Sequence, residues 1–132
     1  MTLQEFIKKH MVDSAISTKV PENPNMADHK DMDHWFVRIK TKAGTNMSLY
    51  FSKGFGHNGK APNVAEVLES LTMDASSVHG HDFETWARDL GYDTDSRKAE
   101  KIYKACQKLR DKMLRFLGAE AYIQLTDGTV EF

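Results

Sequence analysis

The stretch Trp35-Phe36-Val37-Arg38-Ile39-Lys40, the turn Lys42-Ala43-Gly44-Thr45 and the stretch Met47-Ser48-Leu49-Tyr50-Phe51-Ser52 decide the fold class. In the first, Trp35, Val37 and Ile39 alternate with Phe36, Arg38 and Lys40; in the second, Met47, Leu49 and Phe51 alternate with Ser48, Tyr50 and Ser52. Successive side chains of a strand point to opposite faces, so this two-residue period predicts two strands, each with one buried face, joined as an antiparallel hairpin. A lone hairpin is marginal in water. Helices must cover it, or a second copy of the chain must complete the sheet as a homodimer.

Away from the hairpin the period becomes helical. Thr2 and Glu5 stand at capping-box spacing around Leu3, Phe6, Ile7, His10 and Met11, predicting a short helix that ends by about Ser14. Residues 17–33 are polar, include Pro21 and Pro24 and show neither period, which reads as a linker or arm. Pro62 and Asn63-x-x-Glu66 start a helix with Val64, Val67, Leu68 and Leu71 on one face; a polar break follows from Asp74 to Gly80. Asp82 caps a short helix with Phe83, Trp86, Ala87 and Leu90 on one side and Gly91 at its end. Asp93, Asp95 and Ser96 are placed to cap the longest helix, about 97–117, with Gly118 beyond it. Ala121 to Leu125 alternates and predicts a third strand, with Asp127-Gly128 as a turn. The expected architecture is α+β: a small antiparallel hairpin or three-stranded sheet packed against three to four helices, the longest near the C-terminus. It is organised as an N-terminal helix over 1–16, a polar linker or arm over 17–33 and a single α+β domain over 34–132.

With 132 residues, 40% hydrophobic and 28% charged, the chain has no room for two sizeable cores. No apolar run approaches the roughly 18 residues of a spanning helix, and the first residues carry an acid and lysines where a signal peptide has apolar ones. The expectation is a protein of the cytoplasm with no membrane partner. The single cysteine, Cys106, excludes an intrachain disulfide framework and any multi-cysteine zinc site.

Net charge is −1, but its distribution is uneven. Residues 97–115 hold eight Lys/Arg and two acids, a local balance of +6 against −7 for the rest. At about 100° per residue, Arg97, Lys101, Lys104, Lys108, Lys112 and Arg115 fall within roughly a quarter-turn, opposite the apolar set Ala99, Ile102, Cys106, Leu109, Met113, Phe116 and Leu117. Along about 18 residues the stripe extends about 27 Å, enough to follow several phosphates or an acidic groove on a protein. Exposed helix faces are routinely rich in lysine, so a solvated face is the plain reading. Against it stands the scarcity of acids on the stripe, where pairing at four-residue spacing is expected of a merely solvated helix. Zinc-finger spacing, an RNP-like aromatic run and a helix-turn-helix pattern are all missing, and an acidic protein surface suits the stripe as well as nucleic acid does. Tyr92, in the loop before the long helix, and Tyr50, on the polar face of its strand, are the aromatics that core packing explains least, and Tyr92 joins the stripe as a candidate anchor. Trp35, Phe51, Phe83, Trp86 and Phe116 are expected in the core.

Signals for catalysis stop short. Gly54-Phe55-Gly56-His57-Asn58-Gly59-Lys60-Ala61 matches the phosphate-cradling G-x-x-x-x-G-K-[ST] pattern except at its last position. Ala61 has no hydroxyl for magnesium, Pro62 removes a backbone donor, and the preceding strand belongs to a hairpin. The six histidines, in Asp28-His29, Asp33-His34, His57 and His79-Gly80-His81-Asp82 among other places, lack metal-ligand spacing. A metal-dependent nuclease or phosphate-handling enzyme built on His57 and Lys60 is the third-ranked reading. No cofactor and no metal are expected, and Cys106 reads as a small core residue.

Certain segments carry a family resemblance: His34-Trp35; Tyr50-Phe51-Ser52-x-Gly54-x-Gly56-His57; Pro62-x-x-x-x-Val67-Leu68-x-x-Leu71-x-x-Asp74-Ala75; Phe83-Glu84-x-Trp86; and Gly91-Tyr92-Asp93-Thr94-Asp95-Ser96-Arg97-Lys98-Ala99, continuing through Tyr103 and Cys106. Over residues 34–118 the chain resembles a widespread group of small bacteriophage and prophage proteins with a run like GYDxDSRKAxxxYxxC. The resemblance carries no catalytic residues. It implies a phage accessory protein that acts by stoichiometric binding to a host defence complex, such as CRISPR–Cas or a restriction enzyme, with anti-CRISPR action the specific expectation. A nucleic-acid-binding phage protein is the alternative.

Overall fold

The computed structural model describes residues 1–21, 33–52, 54–55 and 60–132. These form α1 (Leu3–His10), β1 (Ile16–Pro21), β2 (Asp33–Lys40), β3 (Asn46–Ser52), α2 (Val64–Ser76), α3 (Phe83–Asp89), α4 (Arg97–Leu117) and α5 (Ala119–Thr126). The class is α+β, with a three-stranded antiparallel sheet and the longest helix near the C-terminus. Among the described residues five helices are present where three to four were expected. The chain divides into two compact units, residues 1–68 with 131–132 and residues 69–130, and the division falls inside α2.

In the first unit the hairpin forms as its alternation requires. Val37 and Ile39 on β2 and Met47 on β3 are buried, while Trp35, Leu49 and Phe51 are half-buried on the same face. The strands pair Trp35 with Phe51, Val37 with Leu49 and Ile39 with Met47. The turn closes with the Gly44 N–H donating to the Thr41 carbonyl at 3.0 Å, and Gly44 takes the positive φ of 100° that a side chain would resist. Thr2 and Glu5 form the capping box of α1, whose Leu3, Phe6 and Ile7 are buried. The helix ends at His10 rather than near Ser14. Met11 has extended backbone angles, and the Val12 N–H donates to the Lys40 carbonyl at 2.9 Å, so the backbone leaves the helix to bond with the hairpin.

Two expectations are corrected by the sheet. The third strand is β1, in the segment read as the start of a linker or arm, and residues 22–32 of that segment lie outside the described residues. β1 pairs with β2 from Ile16–Arg38 to Pro21–Asp33. Its sequence is polar because a backbone ladder, not an apolar face, holds it in place. Ala121 to Leu125, expected as the third strand, is helical. Ala121, Tyr122 and Leu125 are buried and Ile123 is 54% exposed, a helical spacing that shares only positions 121 and 125 with the expected alternation.

In α2 the Asn63 side chain accepts from the Glu66 N–H at 2.8 Å. The helix continues through Ser76, so the break expected at Asp74 begins three residues later, at Ser77. The core of the second unit gathers Val78, Trp86, Ala87, Ala99, Tyr103 and Cys106, with Phe83 and Ile102 at its margin. Asp82 caps α3, accepting from the Thr85 N–H at 2.8 Å. Leu90, expected on the apolar side, is 54% exposed because α3 ends before it. Phe83 is half-buried, whereas Trp86 and Phe116 are buried.

Ser96 is the N-cap of α4, its hydroxyl accepting from the Ala99 N–H at 3.2 Å. Ser96→Ala is expected to cost about 1 kcal/mol, the usual worth of such a cap. Urea unfolding followed by circular dichroism checks it, and an unchanged midpoint would show the cap to be idle.

Candidate binding surface

α4 is amphipathic along its whole length. Ala99, Tyr103, Cys106, Met113 and Phe116 are buried on one side. On the other, Arg97, Lys101, Lys104, Lys108, Lys112 and Arg115 are all exposed. Burial of the apolar face fixes the rotation of the helix about its axis, and that rotation aims the cationic side chains at solvent.

Lys104 is the exception to the free display of charge. Its ammonium lies 3.1 Å from the Glu100 carboxylate one turn earlier, an exposed pair worth only a few tenths of a kcal/mol. Arg110, off the stripe, pairs with Asp111 at 3.4 Å. Among the described residues, Arg97, Lys101, Lys108, Lys112 and Arg115 have no ion pair. Arg97 and Lys101, Lys104 and Lys108, and Lys108 and Lys112 are like-charged neighbours at four-residue spacing, each costing the helix roughly 0.2–0.5 kcal/mol. The stripe therefore works against the stability of the helix that carries it.

Tyr92 also packs within its own unit. Its ring stacks on Trp86 with centroids 5.4 Å apart and planes 12° from parallel, and its N–H donates to the Ala87 carbonyl at 2.7 Å. It remains 40% exposed, but one ring face is spent inside the unit.

Burial, reinforced by the nearby Asp74 charge, holds the Cys106 thiol above its ordinary value and so disfavours the nucleophilic thiolate. Among the described residues no three His, Cys, Asp or Glu side chains converge on a cation-sized space. His57 and most of the glycine-rich loop lie outside the described residues. A crevice of about 350 Å³ opens between Asp13, Ser14, Ser17 and the Pro62-Asn63 turn, with Asp13 its one titratable lining group.

His79 contacts the Tyr122 hydroxyl at 2.5 Å, and its ring meets Tyr122 edge-on. Burial first, then the Arg110 charge, lower its pKa from 6.5, so the folded protein favours the neutral imidazole. The unfolded chain takes up that proton at higher pH than the folded one, so stability falls as the pH drops through 6.5 toward the lowered value. His79→Gln is expected to flatten this part of the stability curve. Thermal midpoints between pH 7.5 and 5 check it; an equal slope in the variant would clear His79 of the effect.

Comparison with models of known families, with curated proteins and with solved structures gives no match. No described helix is long and apolar enough to cross a membrane.

Proposed function

We propose that the protein is a non-catalytic accessory protein that blocks a host defence complex by stoichiometric docking of the outward face of α4 on an acidic protein surface. One observation carries the docking face: six exposed cations share one side of a 21-residue helix whose other side is buried. Charge of one sign on a rigid support steers encounter with a surface of the opposite sign and fixes register. The identity of the target as a defence complex, CRISPR–Cas before a restriction enzyme, follows from the resemblance to phage proteins.

The experiment expresses the protein in bacteria whose CRISPR–Cas or restriction system excludes a test phage. Wild-type protein is expected to restore plaque formation. A variant carrying Lys101→Glu, Lys108→Glu and Lys112→Glu, at equal soluble level, is expected not to. Plating restored equally by both proteins would remove α4 from the interface, and failure of the wild-type protein against all systems tried would end the defence-complex reading.

A further inference from the structure

The outward face of the sheet presents a second surface, in the first compact unit, that the reading of α4 does not use. Strand register places Thr18, Phe36 and Tyr50 in one row across the three strands and Ile16, Arg38 and Ser48 in the next, with Lys40 and Asn46 beyond. All are on the side opposite buried Val37, Ile39 and Met47. Phe36 and Tyr50 are directly opposed, with ring centroids 5.2 Å apart and planes tilted by 52°. Tyr50 is 66% exposed, and Arg38 and Lys40 are exposed. No acidic side chain stands on this face among the residues whose side chains are described.

We propose that this face binds single-stranded nucleic acid. Along β2, Phe36, Arg38 and Lys40 succeed one another at two-residue steps of about 6.6 Å, so an aromatic platform continues into two fixed positive charges. A base stacks on the Tyr50 and Phe36 rings, and its neighbouring phosphates meet Arg38 and Lys40. Thr18, Asn46 and Ser48 offer neutral donors and acceptors around them. A flat, solvent-open sheet reaches unpaired bases, whereas the bases of a duplex keep their faces stacked inside the helix. An acidic protein segment would satisfy the two cations but would leave the aromatic pair without a planar partner, so the combination favours nucleic acid.

The test measures fluorescence anisotropy of labelled ten-residue oligothymidine and oligouridine, of a ten-base-pair DNA duplex and of a decaglutamate peptide with the full-length protein. Single strands are expected to bind more tightly than the duplex. Tyr50→Ala is expected to weaken single-strand binding roughly 5- to 100-fold, as loss of a base stack does, and Tyr50→Phe to retain it. Arg38→Gln should lessen the salt dependence by about one phosphate contact. Because Tyr50 is largely exposed, its removal leaves the fold intact, and circular dichroism confirms that for each variant. Single-strand binding that is absent, or that survives both Tyr50→Ala and Arg38→Gln, overturns the proposal. So does binding abolished by charge reversal on α4 but not by Tyr50→Ala, which moves the oligonucleotide to the helix. Decaglutamate binding that depends on Arg38, without oligonucleotide binding, assigns the face to a protein instead.

Discussion

Trp86→Ala is expected to lower the stability of the protein by about 3–5 kcal/mol, the cost of deleting a large buried ring whose surroundings close only partly over the space. The indole is 2% exposed, the largest of the buried side chains in its unit. Its neighbours explain the size of the effect. It stacks on Tyr92, meets Tyr103 at 5.4 Å and Phe83 at 6.3 Å, and donates its N–H to the Ser77 hydroxyl at 3.2 Å. Removing it therefore unseats the loop before α4, the inner face of α4 at Tyr103 and the end of α2 together. Set against the 5–15 kcal/mol typical of whole domains, such a loss removes about a fifth of the total at least. Urea unfolding followed by far-ultraviolet circular dichroism measures it without relying on the fluorophore removed. Trp86→Phe keeps one ring, drops the indole donor and should fall between wild type and alanine. A loss below about 1 kcal/mol for the alanine variant would mean that Trp86 is not the centre of this core.

What the sequence discloses and what it conceals follow from where each signal resides. α4 is legible because three independent features agree over 21 residues: the Ser96 cap, the apolar spacing from Ala99 to Phe116, and Gly118 past the end. A long periodic pattern leaves little room for another interpretation. β1 is concealed because its hydrogen bonds to β2 are made by backbone, and Ile16, its clearest β-former, is 63% exposed. α5 is misread because Ala121-Tyr122-Ile123-Gln124-Leu125 is too short to separate the two periods. Gly118, at φ 85°, lets α5 follow α4 at once, with its carbonyl accepting from the Tyr122 N–H at 3.0 Å.

The surfaces divide in the same way. The cationic stripe is a property of one helix, so residue spacing alone places Arg97, Lys101, Lys104, Lys108, Lys112 and Arg115 on one side. The Glu100–Lys104 pair was equally readable, an acid four residues ahead of a lysine in the favourable orientation. Tyr92 could be placed in its loop but not stacked on Trp86, since that contact joins residues of α3 and the loop beyond it through tertiary packing. The juxtaposition of Phe36 with Tyr50 depends on register across the turn. A shift of one residue would have turned Tyr50 to the other face.

Reversing Lys101, Lys108 and Lys112 together is expected to weaken partner binding by about 100-fold while leaving the protein folded. An exposed lysine facing a carboxylate contributes roughly 0.2–1 kcal/mol, and its reversal replaces that attraction with repulsion, so three changes amount to about 3 kcal/mol. Lys104 is left alone because Glu100 already engages it. The same face supplies the control. Lys108 stands four residues from both Lys104 and Lys112 and three from Asp111, so Lys108→Glu alone turns two repulsive pairs into attractive ones and one attraction into a repulsion, and should stabilise the helix by roughly 0.5–1 kcal/mol net. Measured on Lys108→Glu itself as well as on the triple variant, binding is expected to fall while the stability of Lys108→Glu rises, which a variant that merely damages the fold cannot produce. Urea midpoints give the stability. Binding comes from affinity for whichever defence complex the plating experiment identifies, across a range of salt, with weaker salt dependence in the reversed protein. If Lys108→Glu raises stability and the triple variant binds as tightly as wild type, the stripe is a solvated face and the docking surface lies elsewhere. If binding falls while stability rises, the like-charged spacing on α4 is a cost the protein bears for its partner.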